Sequence, residues 1–515
     1  MCRSASTAAA ATPVARRSRR PPRPPEPGRD RRQGAADPLL PRPAQRPGSW
    51  QRYMLPHAPP QNERAEPVQS GLSARRLAAF STLAIPFTAA QLPILNFLPA
   101  IYAQQFGISL GALGTIFLLE RLWGVFADPL VGTLSDRTRS RLGRRRPWIA
   151  AGVIVFALAA AALFFPPAGV SPLYLGLALF TFYLGCAMIQ IPYLAWSGEI
   201  SGQYHERTRV ATFATVASSS ALLLVILLPA LIDHLHLGDD RLKLGAMGGF
   251  VLLALLPAAW LTLRAFPEAP AREASRAKPL GPLATIRVIA REKLLLRVIL
   301  SDLAVTFGQG VRNTLLLFVV SIYMGLPEWG ATLMLSQYIF GIAAGPIWMQ
   351  VASRIGKHRA AITGELVQVA INLGLLALTP GNLGLLIALT AAQGLAQGSG
   401  NLMLRAMVSD IADQHRLKTG QDRTALFFSA FSISMKAGMA LAVGVALPLV
   451  GAAGFDPAAA HNSPTALTAL LVTFAVGPAL AHLCSAALLR GFTLDEAAHA
   501  QIRRELDRRA AGAHA

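Results

Sequence analysis

Between residues 78 and 489 the chain runs through twelve apolar stretches of about 20 residues. Each is long enough, at about 1.5 Å per residue, to cross the roughly 30 Å hydrocarbon core of a bilayer as a helix. Composition agrees: 53% of the residues are hydrophobic and only 15% charged, against about a quarter charged in soluble domains. The predicted fold is all-α and integral to the membrane, with twelve transmembrane helices in two six-helix bundles.

The connections sort by charge. Loops 103–109, 166–172 and 379–383 carry no charge, and 323–330 carries only Glu328. The alternate connections hold Arg137 to Arg146, Arg207 and Arg209, the segment 264–297, Arg354 to Arg359, and Arg416 to Arg423. Basic loops stay on the cytoplasmic side, which predicts a multi-pass protein of the cell inner (plasma) membrane with both termini in the cytoplasm. The net charge of +21 would suit nucleic acid, but its distribution argues against that partner. Residues 1–53 hold twelve Arg and three acids, and most of the remaining excess lies in the loops. The predicted organisation is a disordered, basic, Pro-rich cytoplasmic tail (1–76), an N-terminal bundle (77–265), a cytoplasmic linker (266–297), a C-terminal bundle (298–490) and a cytoplasmic tail (491–515). Met54 is a candidate start, and deletion of residues 1–53 is predicted to be silent. Residues 492–511 read as an amphipathic surface helix.

The halves repeat. Pro129-Leu-Val-Gly-Thr-Leu-Ser-Asp-Arg leads to Leu142-Gly-Arg-Arg-Arg after the second stretch, and Pro346-Ile-Trp-Met-Gln-Val-Ala-Ser-Arg to Ile355-Gly-Lys-His-Arg after the eighth. One pattern at one topological position in each half implies parallel six-helix repeats, the organisation of major facilitator carriers. There is no G-x-x-x-x-G-K-[ST] loop, H-E-x-x-H pattern or zinc spacing, so no enzyme chemistry, metal or cofactor is expected. Cys2, Cys186 and Cys484 are scattered and form no disulfide framework. Gly308-Gln-Gly310 and Gly398-Ser-Gly400 read as close helix packing.

Chemistry therefore rests on charges at membrane depth: Glu120, Arg121 and Asp128 in the second stretch, Asp302 and Arg312 in the seventh, Glu365 in the ninth and Lys436 in the eleventh. Buried pairs that hold helices in register account for most of these. Asp128 stands apart, because a carboxylate in hydrocarbon costs a few kcal/mol and marks an ion or substrate path. Lys436 is its natural partner from the other half.

Three stretches resemble the glycoside–pentoside–hexuronide:cation symporter family of the major facilitator superfamily. They are Arg121-Leu-Trp-Gly-Val-Phe-Ala-Asp128-Pro through Arg141-Leu-Gly-Arg-Arg-Arg-Pro-Trp148; Ile191-Pro-Tyr-Leu-Ala-Trp-Ser-Gly-Glu199 through Glu206-Arg-Thr-Arg209; and Asp410-Ile-Ala-Asp413 through Arg423, running on to Lys436-Ala-Gly. The resemblance implies cation-coupled uptake of a sugar or glycoside by alternating access. Asp128 falls on the family's cation-site carboxylate, Lys436 on the lysine facing it, and Arg121 on the arginine preceding the site. The melibiose-type pattern has a second Asp where this chain has Gly124 and an Asn where it has Ala127. Losing those oxygens favours a proton over sodium as coupling ion, since hard cations want several oxygen ligands. Thr88 and Gln190 stand where sugar-binding acids are expected, and Thr215 replaces a sugar-contacting Arg; Thr88, Trp123, Gln190 and Tyr193 are the substrate-contact candidates. Asp136, Arg137, Arg144, Arg145, Glu199, Arg207, Asp410, Asp413 and Arg423 are candidates for a cytoplasmic gate of salt bridges. The expected partners are the lipid bilayer and a small-molecule substrate bound by a monomer. A carrier of lipid, pigment or drug, or a non-transporting receptor or assembly factor, is the alternative.

Overall fold

A computed structural model describes residues 72–200, 204–268 and 282–512. Residues 1–71 of the predicted tail, 269–281 of the predicted linker and the side chains of Glu199 and Arg207 lie outside the described residues. Among the described residues twelve long helices follow one another: α1 Ala74–Phe106, α2 Leu110–Arg137, α3 Arg146–Phe164, α4 Pro172–Glu199, α5 Tyr204–His234, α6 Asp240–Ala265, α7 Lys293–Tyr323, α8 Gly330–Ile355, α9 Lys357–Gly374, α10 Leu383–Thr419, α11 Thr424–Ala452 and α12 Pro464–Leu489. Eleven are long and apolar enough to cross a membrane; α10 falls short. Its middle carries Gln393, Gln397, Ser399 and Asn401, and it packs against α7, α8, α9 and α11. Polar groups are tolerated at membrane depth where protein rather than lipid surrounds them, and Gln393 and Ser399 are buried. The predicted linker is partly helical, with a ten-residue helix Pro282–Arg291 and α7 beginning at Lys293.

The packing repeats with the sequence. In the first half α3 packs on α4 and α6, α2 on α4, and α1 on α5 and α6. Adding six to each number gives the second half: α9 on α10 and α12, α8 on α10, and α7 on α11 and α12. The turns repeat as well, with Gly143 before α3 and Gly356 before α9 both at positive φ, the left-handed region that favours glycine. At Gly143 a Cβ would also lie 2.0 Å from Glu268 Oε2. That carboxylate accepts the Arg144 and Arg145 backbone N–H groups at 2.9 and 2.8 Å, satisfying donors that a helix start leaves free. Beyond α12, helix α13 (Glu496–Gly512) docks on α10. His499 Nε2 lies 3.1 Å from Asp413 Oδ2, and Arg509 Nη1 donates to Leu417 O at 3.0 Å.

The bundles meet chiefly through two symmetry-related pairs, α2 with α11 and α5 with α8, with a smaller contact of α1 with α7. An even number of spans returns the chain to its starting side, so one face carries both ends of the described chain (the terminal face) and the other is distal. Glycines let α2 and α11 touch along their distal halves: a Cβ on Gly114 would lie 2.6 Å from Pro448 Cδ, and one on Gly451 would lie 3.3 Å from Leu110 Cβ. On the same face His234 Nε2 lies 2.9 Å from Thr332 Oγ1, its ring stands edge-on to Trp329, and Gln104 approaches Ser321 at 3.5 Å. The distal face is the closed one. A Leu110→Cys/Gly451→Cys pair, with Cys2, Cys186 and Cys484 replaced, has the Cβ proximity a disulfide needs. It is expected to cross-link under mild oxidation; absence of the linked peptide in mass spectra would show that this face is not held shut.

Candidate functional site

Asp128 and Lys436 are brought together from opposite bundles. Asp128 lies nine residues before the end of α2, about 14 Å inside it, and Lys436 twelve residues after the start of α11, about 18 Å inside. Lys436 Nζ donates to Asp128 Oδ2. The side chains are 50% and 33% exposed, so the pair opens to space and is not sealed in a core. Arg121, two turns away, turns from Asp128 to a different partner. Its Nε lies 3.4 Å from Oε2 of buried Glu120, and its guanidinium covers the Tyr183 ring at 4.9 Å. At the two positions where the family pattern supplies further polar ligands, Gly124 has nothing within 4 Å of where its Cβ would be, and Ala127 is buried.

Above this pair, toward the distal face, a cavity of about 140 Å³ lies between the bundles. Its polar lining is uncharged: Asn96 from α1, Gln309 and Asn313 one turn apart on α7, Tyr338 from α8 and Gln397 from α10. Asn96 sits in a π-helical turn, Pro93–Phe97, a local widening often found at functional sites. Asn401 Nδ2 donates to Gln309 Oε1 at 3.3 Å and Gln337 Nε2 to Gln397 Oε1 at 3.2 Å. Asn96 Oδ1 and Asn401 Oδ1 are buried with no hydrogen-bond partner. Amides offer donors and acceptors together, so such a lining can bind a neutral solute bearing several hydroxyls.

The substrate-contact candidates read from sequence fall outside this cavity's lining. Tyr193 is buried, its ring stacked 4.8 Å from Phe80 and angled against Phe87, so packing accounts for it. Thr88 donates to Ser218 at 3.2 Å, joining α1 to α5. Trp123 lies against Phe180 with rings 6.0 Å apart, and Gln190 is half-buried on α4. The missed residues Asn96, Gln309, Asn313 and Gln397 carried a signal, uncharged amides at membrane depth, that a census of charges passes over. Gln309 lies inside the Gly308-Gln-Gly310 triplet read as packing alone.

Some of the gate candidates form ion pairs. Arg145 Nη2 lies 3.2 Å from Asp136 Oδ1 and Lys357 Nζ 2.7 Å from Asp410 Oδ2, while Asp413 holds His499 and Arg503 of α13. Arg137 is exposed, the Arg144 backbone is tied to Glu268, and Arg423 bonds Gln421. Asp422, beside Arg423, is held below the usual carboxylate range chiefly by the Thr424 backbone N–H it accepts. Among the described residues, the Asp136–Arg145 and Asp410–Lys357 pairs each join elements of one bundle.

Deep in the second bundle, His482 Nδ1 of α12 meets Glu365 Oε2 of α9 at 2.5 Å, both fully enclosed. Arg312 Nη1 donates to Asn372 Oδ1 at 3.2 Å and lies over Phe474.

Twelve helices in two repeated bundles around a central polar cavity define a major facilitator transporter. Residues 79–496 match the MFS/sugar transport protein family, and the chain belongs to it. Relatives include an uncharacterized symporter of Synechocystis (25% identical, covering 79% of this chain and 92% of that protein). Others are the inner membrane symporter YicJ of Escherichia coli (23%; 78% and 87%) and the raffinose carrier protein of Pediococcus pentosaceus (25%; 76% and 64%). Among solved structures, the nucleoside transporter NupG aligns with TM-score 0.58 at 13% identity, covering 81% of this chain and 98% of that one. A bacterial homologue of the human lysosomal transporter Spinster aligns at 0.61 and 13%, covering 84% and 99%. These share the fold.

The two kinds of pair predict opposite stability effects. Removing one partner of a buried pair leaves a stranded charge and costs about 3–5 kcal/mol, so His482→Ala should lower Tm sharply, and a Glu365→Leu/His482→Leu double variant should recover most of the loss. Exposed pairs are worth about 0–1 kcal/mol, so Lys436→Ala should barely move Tm. Thermal unfolding of the purified variants in detergent separates the two.

Proposed function

We propose that this carrier is a proton-coupled sugar symporter of the cytoplasmic membrane, working as a single chain. One observation carries the reading: Asp128 and Lys436, from different bundles, meet in an open site below an uncharged, amide-lined cavity. The curated relatives named as symporters, and one named as a raffinose carrier, support solute–cation coupling. Protonation of Asp128 removes the charge that Lys436 holds across the bundle interface. Because that bond forms only when the bundles are apposed at this level, the proton binds the two conformations unequally, which is the condition for driving one into the other. A proton suits the site better than sodium, since Asp128 is unaided by oxygens at positions 124 and 127. The amides of Gln309, Asn313 and Gln397 would hold sugar hydroxyls, with Tyr338 beside Asn96 closing one side. With the basic loops on the terminal face, positive-inside topology makes that face cytoplasmic, and closure of the distal face makes this the conformation open to the cytoplasm.

The test is uptake of a panel of labelled glycosides and monosaccharides into vesicles under separate proton and sodium gradients. Accumulation should follow the proton gradient, and Asp128→Asn should abolish accumulation while sparing exchange. Losing one hydrogen bond worth about 1–1.5 kcal/mol, Gln309→Ala should weaken apparent affinity about tenfold. Sodium-driven uptake would overturn the proton assignment, and no uptake of any sugar would overturn the substrate class.

A further inference from the structure

Asp302, on α7, is completely buried, and neither of its carboxyl oxygens has a hydrogen-bond partner. Ser434 of α11 lies close to the carboxyl, but its hydroxyl donates to Ile299 O at 2.8 Å. Among the described residues, no charged group is paired with it. On the helices packed against α7, Lys436 pairs with Asp128, His482 with Glu365, and Arg405 of α10 is exposed. On α7 itself Arg312 turns to Asn372. An ionised carboxylate in such surroundings is far more costly than a neutral carboxylic acid.

The internal repeat places a different kind of residue at the corresponding position. In the second bundle Ser301 meets Ser485 at 2.7 Å, joining α7 to α12. In the first bundle the equivalent hydroxyl pair is Thr82 with Thr262 at 3.4 Å, joining α1 to α6. The next residue on α1 is Leu83, also fully buried. The residue after the hydroxyl pair is thus a buried leucine in one half and a buried carboxyl in the other.

We infer that Asp302 is a second proton-binding group of the carrier, in the C-terminal bundle and separate from Asp128; the inference rests on the proton-coupled reading. The step is acid–base exchange with water. An O–H bond forms on the carboxylate as hydronium gives up its proton, and the same bond breaks to water on the other side, with no other bond changed. In the conformation seen here the site is sealed and neutral. Exchange requires α11 to part from α7, and α11 is the helix that carries Lys436 and meets α2 across the interface, so its movement links the two sites.

The protonated carboxyl has its own infrared C=O stretch, which can be read on the purified protein in lipid vesicles without any sugar. The wild-type minus Asp302→Asn difference spectrum is expected to contain one such band, lost as pH is raised and still present in Asp128→Asn. If Asp302→Asn does not fold, Asp302→Leu, carrying the side chain of the other repeat, supplies the same difference spectrum. A missing band, or a band that persists unchanged from acid to strongly alkaline pH, overturns the inference. Where a sugar is transported, the proton-to-sugar ratio should fall by one proton in the Asp302 variants; an unchanged ratio also overturns it. Failure of all sugar uptake would instead defeat the symport reading and leave the infrared result standing.

Discussion

The contact between Asp128 and Lys436 is the constraint around which the rest is arranged. A carboxylate at membrane depth is costly, and this chain places its neutralising cation on the opposite bundle. Charge balance is therefore possible only while α2 and α11 are apposed, which makes a packing state and an ionisation state interdependent. Because both side chains reach open space, the bond contributes little to stability; its value lies in being breakable. The enclosed Glu365–His482 pair is the contrast. It joins two helices of one bundle, has no route to water, and serves to keep that bundle rigid. A carrier that rocks two bodies needs both kinds of pair, one holding each body together and one that opens between them.

Much of this was legible in the chain. Apolar stretches of spanning length leave helices as the only way to satisfy the backbone, and the basic loops and repeated proline and glycine positions order those helices into halves. Asp128 and Lys436 stood out because charges are conspicuous in apolar runs. The cavity was not legible for the opposite reason. Asn96, Gln309, Asn313 and Gln397 are neutral, and an amide in a membrane helix is equally at home bonding a neighbouring helix. Which face of α7 or α10 looks into the cavity depends on the angles of four or five packed helices, which no local pattern encodes. The same limit misplaced Tyr193: an aromatic near the site level reads alike whether it lines a pocket or, as here, stacks on Phe80. It also limited the gate residues, since whether Asp136 or Asp410 bonds within or across bundles depends on which face is open.

The repeat makes the chemistry of each half easier to interpret. Corresponding helices pack in corresponding pairs, so differences at equivalent positions are not forced by the architecture. The first bundle supplies the exposed carboxylate, while the cavity amides come mainly from the second. A duplicated scaffold has thus been divided, with the open carboxylate on one body and most of the cavity amides on the other.

That division gives the closed distal face a specific role. At Gly114 the bundles approach more closely than a side chain would allow, and at Gly451 they leave barely room for one, and the contact lies where the cavity would otherwise open to the far side. Close van der Waals packing of this kind is short-ranged and is lost within about an ångström of separation. A small rotation about the midplane therefore releases the distal seal almost at once, while Lys436, on its flexible stem, can follow Asp128 over a longer distance. The ranges of the two interactions set an order: the seal yields first, and the ion pair last.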